Sequence, residues 1–304
     1  MNKMIVTIQN ASHNFGNKRI LDCINLDLVQ GDFTALVGPS GAGKSTLFKA
    51  ILGTDPLNEG KIYVAGEEVT GPDRHVGIVY QQYTLAPYLT VEQNVAEGLK
   101  LDQTSIPYRT FCFWNWWKLR QKHLAEAREL LKRVGLDPVL TSYPEALSGG
   151  MRQRAAIAQA LIMRPQVLLL DEPFGALDEA TREDLQGVLK TLSQENEDAK
   201  AIGLDPPHTV IMVTHELNEA FYIANRVIGI SRFWKDPKTG LTGMERGARI
   251  MYDKLTPFFG PNDPRDFGRF LDLKNLLRKS VFDGDLTDPM EHQTYWRDRE
   301  AIAC

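Results

Sequence analysis

The 304-residue chain is 43% hydrophobic and 24% charged, the composition of a soluble globular protein with ample material for a packed core. A formal net charge of −4 leaves no basic footprint for nucleic acid, and three scattered cysteines, Cys23, Cys112 and Cys304, fit free thiols in a reducing cytosol better than a disulfide or zinc framework. The N-terminus lacks the apolar core of a signal peptide and no apolar run reaches membrane-spanning length, so a membrane role is expected from the cytosolic side through another chain.

In chain order, Ile5–Ile8, Ile24–Leu28 and Phe33–Val37 read as strands, the last running into a glycine-rich loop and then a helix at Lys44–Leu52. Lys61–Val64 and Val76–Tyr80 read as further strands, separated by the turn residues Gly71-Pro72-Asp73. From about residue 90 to 164 the apolar spacing becomes helical, over Val91–Leu101, His123–Val134 and Ser148–Met163. Val167–Leu170 and Thr209–Val213 are continuous apolar runs of the kind buried in parallel sheets. Between them the spacing predicts a helix over Glu179–Leu192 and a polar linker over Gln194–Pro207. In the tail, Arg246–Tyr252 reads as a strand and Pro264–Val281 as a helix with Phe267, Phe270, Leu271 and Leu277 on one side. The organisation expected is α/β, a helical insert inside a strand–helix core, followed by a C-terminal extension. Domain limits follow as 1–234 for the core, with its helical insert at about 90–164, and 235–304 for the extension.

Gly38-Pro39-Ser40-Gly41-Ala42-Gly43-Lys44-Ser45 matches G-x-x-x-x-G-K-S/T between a strand and a helix, where backbone N–H groups and a helix N-terminus converge on phosphate oxygens. With Thr46, these residues form the candidate nucleotide cradle: Lys44 reaches the β- and γ-phosphates and the Ser45 hydroxyl ligates magnesium. Asp171 ends a buried strand, where a carboxylate is costly unless it faces a cation, and so becomes the expected partner of that magnesium. Glu172 points the other way by strand alternation and can polarise an attacking water. A bare Asp-Glu pair is ordinarily a solvated strand end; the glycine-rich loop upstream reverses that reading.

These motifs, followed in order by Leu147-Ser148-Gly149-Gly150 and then Val167–Glu172, resemble an ABC ATPase over residues 4–232. Gly175-Ala176-Leu177-Asp178 resembles the family's D-loop and Thr214-His215 its switch histidine. Gln81 stands at the Q-loop position, with Gln82 as a neighbouring alternative, and Phe15 stands where the family stacks an aromatic ring on adenine. The resemblance implies ATP and Mg2+ as cofactors, the metal held by Ser45, Asp171 and Gln81. It also implies an α/β fold, a P-loop (RecA-like) core with a small antiparallel β subdomain, an inserted helical subdomain and a C-terminal extension, and a second ATPase subunit. ATP would lie between the loop at Gly38–Thr46 of one copy and Ser148, Gly149 and Gly150 of the other, with Glu172 acting on water and His215 on the γ-phosphate. One copy would then carry two half-sites and no complete one.

A single cassette without a coiled-coil array is unlike ABC proteins that act on ribosomes or DNA, and LSGGMRQR separates the chain from generic P-loop kinases. Gln82–Val95, LSGGMRQRAAIAQAL and His215–Ala220 resemble the ATP-binding subunits of nitrate, sulfonate and taurine importers. That implies transmembrane permease subunits, a solute-binding protein acting through them, and a seat on the cytoplasmic face of the membrane. An ABC exporter motor is the competing transport reading.

Two stretches depart from the family pattern. Tyr108–Arg120 adds a segment dense in aromatics, including Trp114, Trp116 and Trp117; it either packs against the insert's helices or faces the membrane subunit or lipid. The tail from about Lys235 is longer than a minimal cassette needs, and sequence assigns it no role.

Overall fold

β1 (Met4–Phe15) and β2 (Lys18–Val29) form a long antiparallel hairpin turning at Gly16, whose φ of 57° is left-handed. The sequence marked only the apolar centres of these strands; the pairing runs on through polar residues and several bulges. β3 (Phe33–Val37) leads through the glycine-rich loop into α1 (Lys44–Leu52). β4 (Glu59–Val64), the two-residue β5 (Glu67–Glu68) and β6 (Val76–Val79) follow. The computed structural model describes residues 3–82, 85–175, 177–235, 240–257 and 267–283. Tyr83, Thr84, Ala176, Cys304 and the first residues of the predicted tail helix lie outside that set.

The helical insert comprises α2 (Val91–Gln103), α3 (Ile106–Phe111), α4 (Phe113–Arg133) and α5 (Gly149–Leu161). Thr90 and Gln93 cap α2 reciprocally through side chain and backbone, fixing its start where the spacing placed it. α4 begins ten residues before the predicted His123, so the aromatic segment is helical, not a loop. Its first turns carry too few inward apolar residues for the spacing to register.

Returning to the core, β7 (Val167–Asp171), α6 (Glu179–Ala201), β8 (Thr209–Val213), α7 (Leu217–Ile223) and β9 (Arg226–Ser231) alternate. α6 runs through half of the predicted linker, held by a Gln194–Asp198 hydrogen bond and a Lys200–Glu197 ion pair. Asn196 is buried there for a reason: its amide donates to the Gly31 and His208 carbonyls and its oxygen accepts from the His208 N–H. The run Val227–Ile230, interrupted by Gly229, was too short to read as the strand it forms.

In the tail, a Thr242–Glu245 capping box winds Gly243–Arg246 into a single helical turn, α8. The predicted strand therefore starts three residues late, as β10 (Arg249–Leu255). A 3-10 turn at Phe267–Phe270, α9 (Leu271–Arg278) and a π-turn at Lys279–Asp283 replace the single predicted helix. Phe270 and Leu277 are buried, while Leu271 faces solvent.

Two sheets result. The antiparallel sheet has the order β2-β1-β4-β5, and the core sheet β10-β9-β3-β8-β7-β6, parallel except for its β10 edge. The central strands are buried on both faces, yet alternation still sorts their side chains. Val167, Leu169, Ile211 and Val213 join α1 and the antiparallel sheet in one apolar cluster. Leu168, Leu170, Val210 and Met212 join the helical insert, α6, α7 and the tail in the other. α1 and α5 thus lie on opposite faces of the core sheet.

The Arg226 guanidinium, fully buried, pairs Nε with Asp253 Oδ1 at 2.8 Å and Nη2 with Oδ2 at 2.6 Å, and Nη1 donates to the Asp27 carbonyl. This fork joins β9, β10 and β2, and with them the two sheets. Removing its carboxylate leaves a buried cation undercompensated, so Asp253→Ala is expected to cost about 3 kcal/mol in urea unfolding. A loss below about 1 kcal/mol would show that the fork is not a structural tie.

Candidate functional site

Three neighbouring strands, β3, β8 and β7, end at the same edge of the core sheet, and each delivers one part of the site. The loop after β3 supplies Gly38–Thr46, the end of β7 supplies Asp171 and Glu172, and the residues after β8 supply Thr214 and His215. A crevice at the carboxyl ends of parallel strands is where such sheets bind ligands.

The loop is built to present backbone. Gly43 stands at the N-cap of α1 with φ 88°, and no side chain caps the helix; its first turn carries no acid. The first N–H groups of α1 therefore point outward without a side-chain partner, the geometry that receives an anion. At Gly38 a Cβ would sit 2.1 Å from the Ile230 carbonyl oxygen of β9, so the loop can leave the sheet here only as glycine. Lys44 is buried and its Nζ donates to the Gly38 and Pro39 carbonyls, at 2.7 and 3.0 Å. Burial lowers the Lys44 ammonium below its ordinary pKa, and the charges of Glu172 and Asp171 work against that shift. Ser40, Gly41 and Ser45 are solvent-facing, whereas Ala42 is packed into the core beneath them.

Asp171 is raised above the usual carboxylate range, first by burial and then by the neighbouring charge of Glu172; Lys44 and His215 pull it down. Glu172 stands beyond the strand, so strand alternation does not set its orientation. The strand ends at Asp171, and Glu172 adopts φ 47°, its N–H donating to the Val213 carbonyl of β8 at 3.0 Å. A left-handed non-glycine residue carries strain that the surrounding bonds must hold. The kink places Glu172 Oε1 2.6 Å from His215 Nε2, and Oε2 3.5 Å from Gln81 Nε2. Gln81 is therefore the glutamine that reaches this carboxylate.

Ser148, Gly149 and Gly150 lie on the other face of the sheet, at the start of α5. Ser148 is exposed and caps the helix, its Oγ accepting from the Met151 N–H. Gly150 abuts α6 so closely that a Cβ would come 1.7 Å from Thr181 Cγ2. Asp178 caps α6 in the same way, bonding the Thr181 N–H and hydroxyl, which holds its carboxyl below the usual range. Phe15 projects from the end of β1, 53% exposed, its ring T-shaped to that of His13 with centroids 4.9 Å apart. The structure thus brings the loop, Gln81, Asp171, Glu172 and His215 together, and leaves Ser148–Gly150 and Asp178 in a separate group.

Residues 21–175 match the family described as ABC transporter. The aliphatic sulfonates import ATP-binding protein SsuB of Bacillus cereus is 40% identical over 233 residues, spanning 75% of this chain and 82% of that protein. The chain belongs to the ABC transporter family. The sulfate/thiosulfate import ATP-binding protein CysA of Nephroselmis olivacea is also 40% identical, over 228 residues that make up 74% of this chain and 60% of that protein. Among solved structures, the dimeric post-hydrolysis state of the ATP-binding cassette MJ0796 with ADP and Pi aligns with a TM-score of 0.61 at 29% identity, covering 84% of this chain and all of that one. The chain is accordingly an ATP-binding cassette with ATPase chemistry.

The cassette also holds a buried polar link that the sequence did not single out. Thr214 Oγ1 donates to Glu219 Oε2 at 2.9 Å and accepts from the Glu216 N–H. Arg182 Nε approaches Glu219 Oε1 at 3.4 Å, and its Nη2 donates to the Leu177 carbonyl. Burial raises the Glu219 carboxyl above its usual range. The link ties the His215 turn to the start of α6. A glutamate on a short helix just after a buried strand offered no periodic signal; only the fold shows that it turns inward.

Proposed function

We propose that the chain is the ATP-hydrolysing subunit of an ABC importer, working as a closed pair of copies with ATP sandwiched between them. The observation that carries this reading is the division of the ABC motifs between two faces of one sheet. The phosphate loop opens at α1 on one face, and Ser148–Gly150 open α5 on the other. A second copy facing the first head to tail supplies the missing half to each loop, as expected of a relative of a cassette described as dimeric.

Within each composite site, Lys44 and the N–H groups of the Gly38–Thr46 loop hold the phosphates, and Phe15 offers its open ring to the adenine. Ser45, Asp171 and Gln81 are oxygen donors of the kind a hard cation takes, and the burial that raises Asp171 would be relieved by one, so they fit Mg2+. Bound there, the metal would supply charge stabilisation for the transferring phosphoryl group. Glu172 orients and accepts a proton from the attacking water, and His215, 2.6 Å away, keeps Glu172 and the γ-phosphate in register. Asp178 lies beside Ser148–Gly150, where a D-loop can report closure to the facing copy.

Import is favoured because the relatives at 40% identity are import proteins for sulfonates and for sulfate or thiosulfate. The substrate class proposed is a small oxyanion or sulfonate, delivered by a solute-binding protein to permease subunits that seat this chain on the cytoplasmic face. No described helix is long and apolar enough to cross a membrane. A tagged chain purified from source membranes is expected to bring down a multi-spanning subunit, and its deletion to abolish alkanesulfonate uptake. Ribosomal or DNA-repair partners in the same pull-down would overturn the importer reading.

A further inference from the structure

Helix α4 carries two opposite stripes. Its inward stripe, with His123, Ala127 and Leu131, is buried against the rest of the insert, and Trp116 meets the His123 ring edge-on at 6.2 Å. Its outward stripe runs Trp114, Trp117, Lys118 and Gln121, the i, i+3, i+4, i+7 spacing of one helical face. Trp114 is 78% and Trp117 50% exposed, and Phe111, at the end of α3, is 89% exposed. Trp116 is thus turned inward, while Trp114 and Trp117 keep half or more of their surface in solvent.

The charge on this segment is one-sided. Between Gln103 and Ala125 stand Arg109, Lys118, Arg120 and Lys122 and no acidic residue, in a chain whose net charge is −4. Lys118 shares the outward stripe with the tryptophans and Lys122 flanks it; both are exposed. Lysine is depleted from protein–protein interface cores, where exposed tryptophan would otherwise be expected. Tryptophan mixed with lysine and arginine is instead what the headgroup region of an anionic bilayer selects: amphipathic rings at the boundary, cations against lipid phosphates.

We propose that the outward stripe of α3 and α4 binds anionic phospholipid directly, seating Trp114 and Trp117 at the headgroup interface. The contact needs no permease, so it stands or falls separately from the importer reading. It would hold the cassette's helical insert against the membrane surface, beside whatever subunit the ATP cycle drives.

The test is flotation of the purified full-length chain with vesicles of phosphatidylglycerol and phosphatidylethanolamine, against vesicles of phosphatidylcholine alone. The chain is expected to float with the anionic vesicles only, with a blue shift of tryptophan emission, and to be released by high salt. The double variant Trp114→Ser, Trp117→Ser is expected to lower partitioning about tenfold and leave ATP turnover in solution unchanged. Lys118→Glu with Lys122→Glu, which keeps both rings, is expected to lose preference for the anionic vesicles. Failure of the unaltered chain to float, or equal flotation by the tryptophan variant, would overturn the proposal. So would vesicle binding that ignores lipid charge. Loss of permease association by the tryptophan variant, with no vesicle binding by the unaltered chain, would mark the stripe as a protein interface instead.

Discussion

Glu172→Gln is expected to lower steady-state ATP hydrolysis about a thousandfold while ATP binding is retained. The amide has the shape of the carboxylate, so the left-handed turn at φ 47° and the contacts to Gln81 and His215 can persist. What is lost is the carboxylate that, on the proposed reading, accepts a proton from water. Removing a negative charge from beside the γ-phosphate also eases repulsion of the nucleotide, so affinity should hold or tighten. Phosphate release and a fluorescent-nucleotide titration on the same preparation separate the two quantities. Unchanged hydrolysis would remove Glu172 from the mechanism.

Lys44→Ala is expected to act one step earlier, on binding itself. The ammonium is buried and held over the loop by the Gly38 and Pro39 carbonyls, and of the positive charges that pull the Asp171 carboxyl down its own acts most strongly. Truncating a buried, hydrogen-bonded charge that faces an anion costs about 4 kcal/mol, close to a thousandfold in affinity. Calorimetric titration with ATP checks this. The two variants therefore separate cleanly: the first binds without turning over, the second fails to bind. An affinity within about tenfold of the parent chain would show that the backbone cradle alone holds the phosphates.

What the sequence made legible was local and ordered. The glycine-rich loop, the Val167–Leu170 run and the helix expected from Ser148 each carry their own chemistry in a few adjacent residues, and a loop, a strand and a helix form there. α1 has the limits the sequence gave it, and α2 and α6 start where predicted, but the longer helices run past their predicted limits, because those are set by partners the spacing does not show. α6 outran its prediction on surface pairs and on buried Asn196, and α4 outran its own through a segment in which Trp114 and Trp117 face outward. β9 went unread because Gly229 interrupts a short apolar run; a Cβ there would meet Val281 of the tail at 2.3 Å, so the glycine is explained by a contact more than fifty residues away.

The candidate site shows the same divide. Its residue types were readable, but the Glu172 orientation was not: strand alternation does not apply to a residue that stands past the strand end in a left-handed turn. The Thr214–Glu219–Arg182 link was invisible, since its three members belong to a strand end and two helices that only the sheet brings together. The tail was the least legible part, and the fold gives some of it a place. β10 closes the core sheet's edge, Phe270 stacks on Phe221 of α7 with ring centroids 5.6 Å apart, and Lys274 Nζ bonds Asn218 of the same helix at 2.6 Å. The helix that follows His215 is thereby packed from the C-terminal side.

The central claim is that one copy holds two half-sites on opposite faces of its sheet. Light scattering of the Glu172→Gln chain with and without ATP tests it most directly. The account predicts a mass that doubles with ATP, and a doubling lost when Ser148→Arg is added, since that exposed residue belongs to the half supplied across the interface. A Glu172→Gln chain that binds ATP and keeps the mass of a single copy would contradict it.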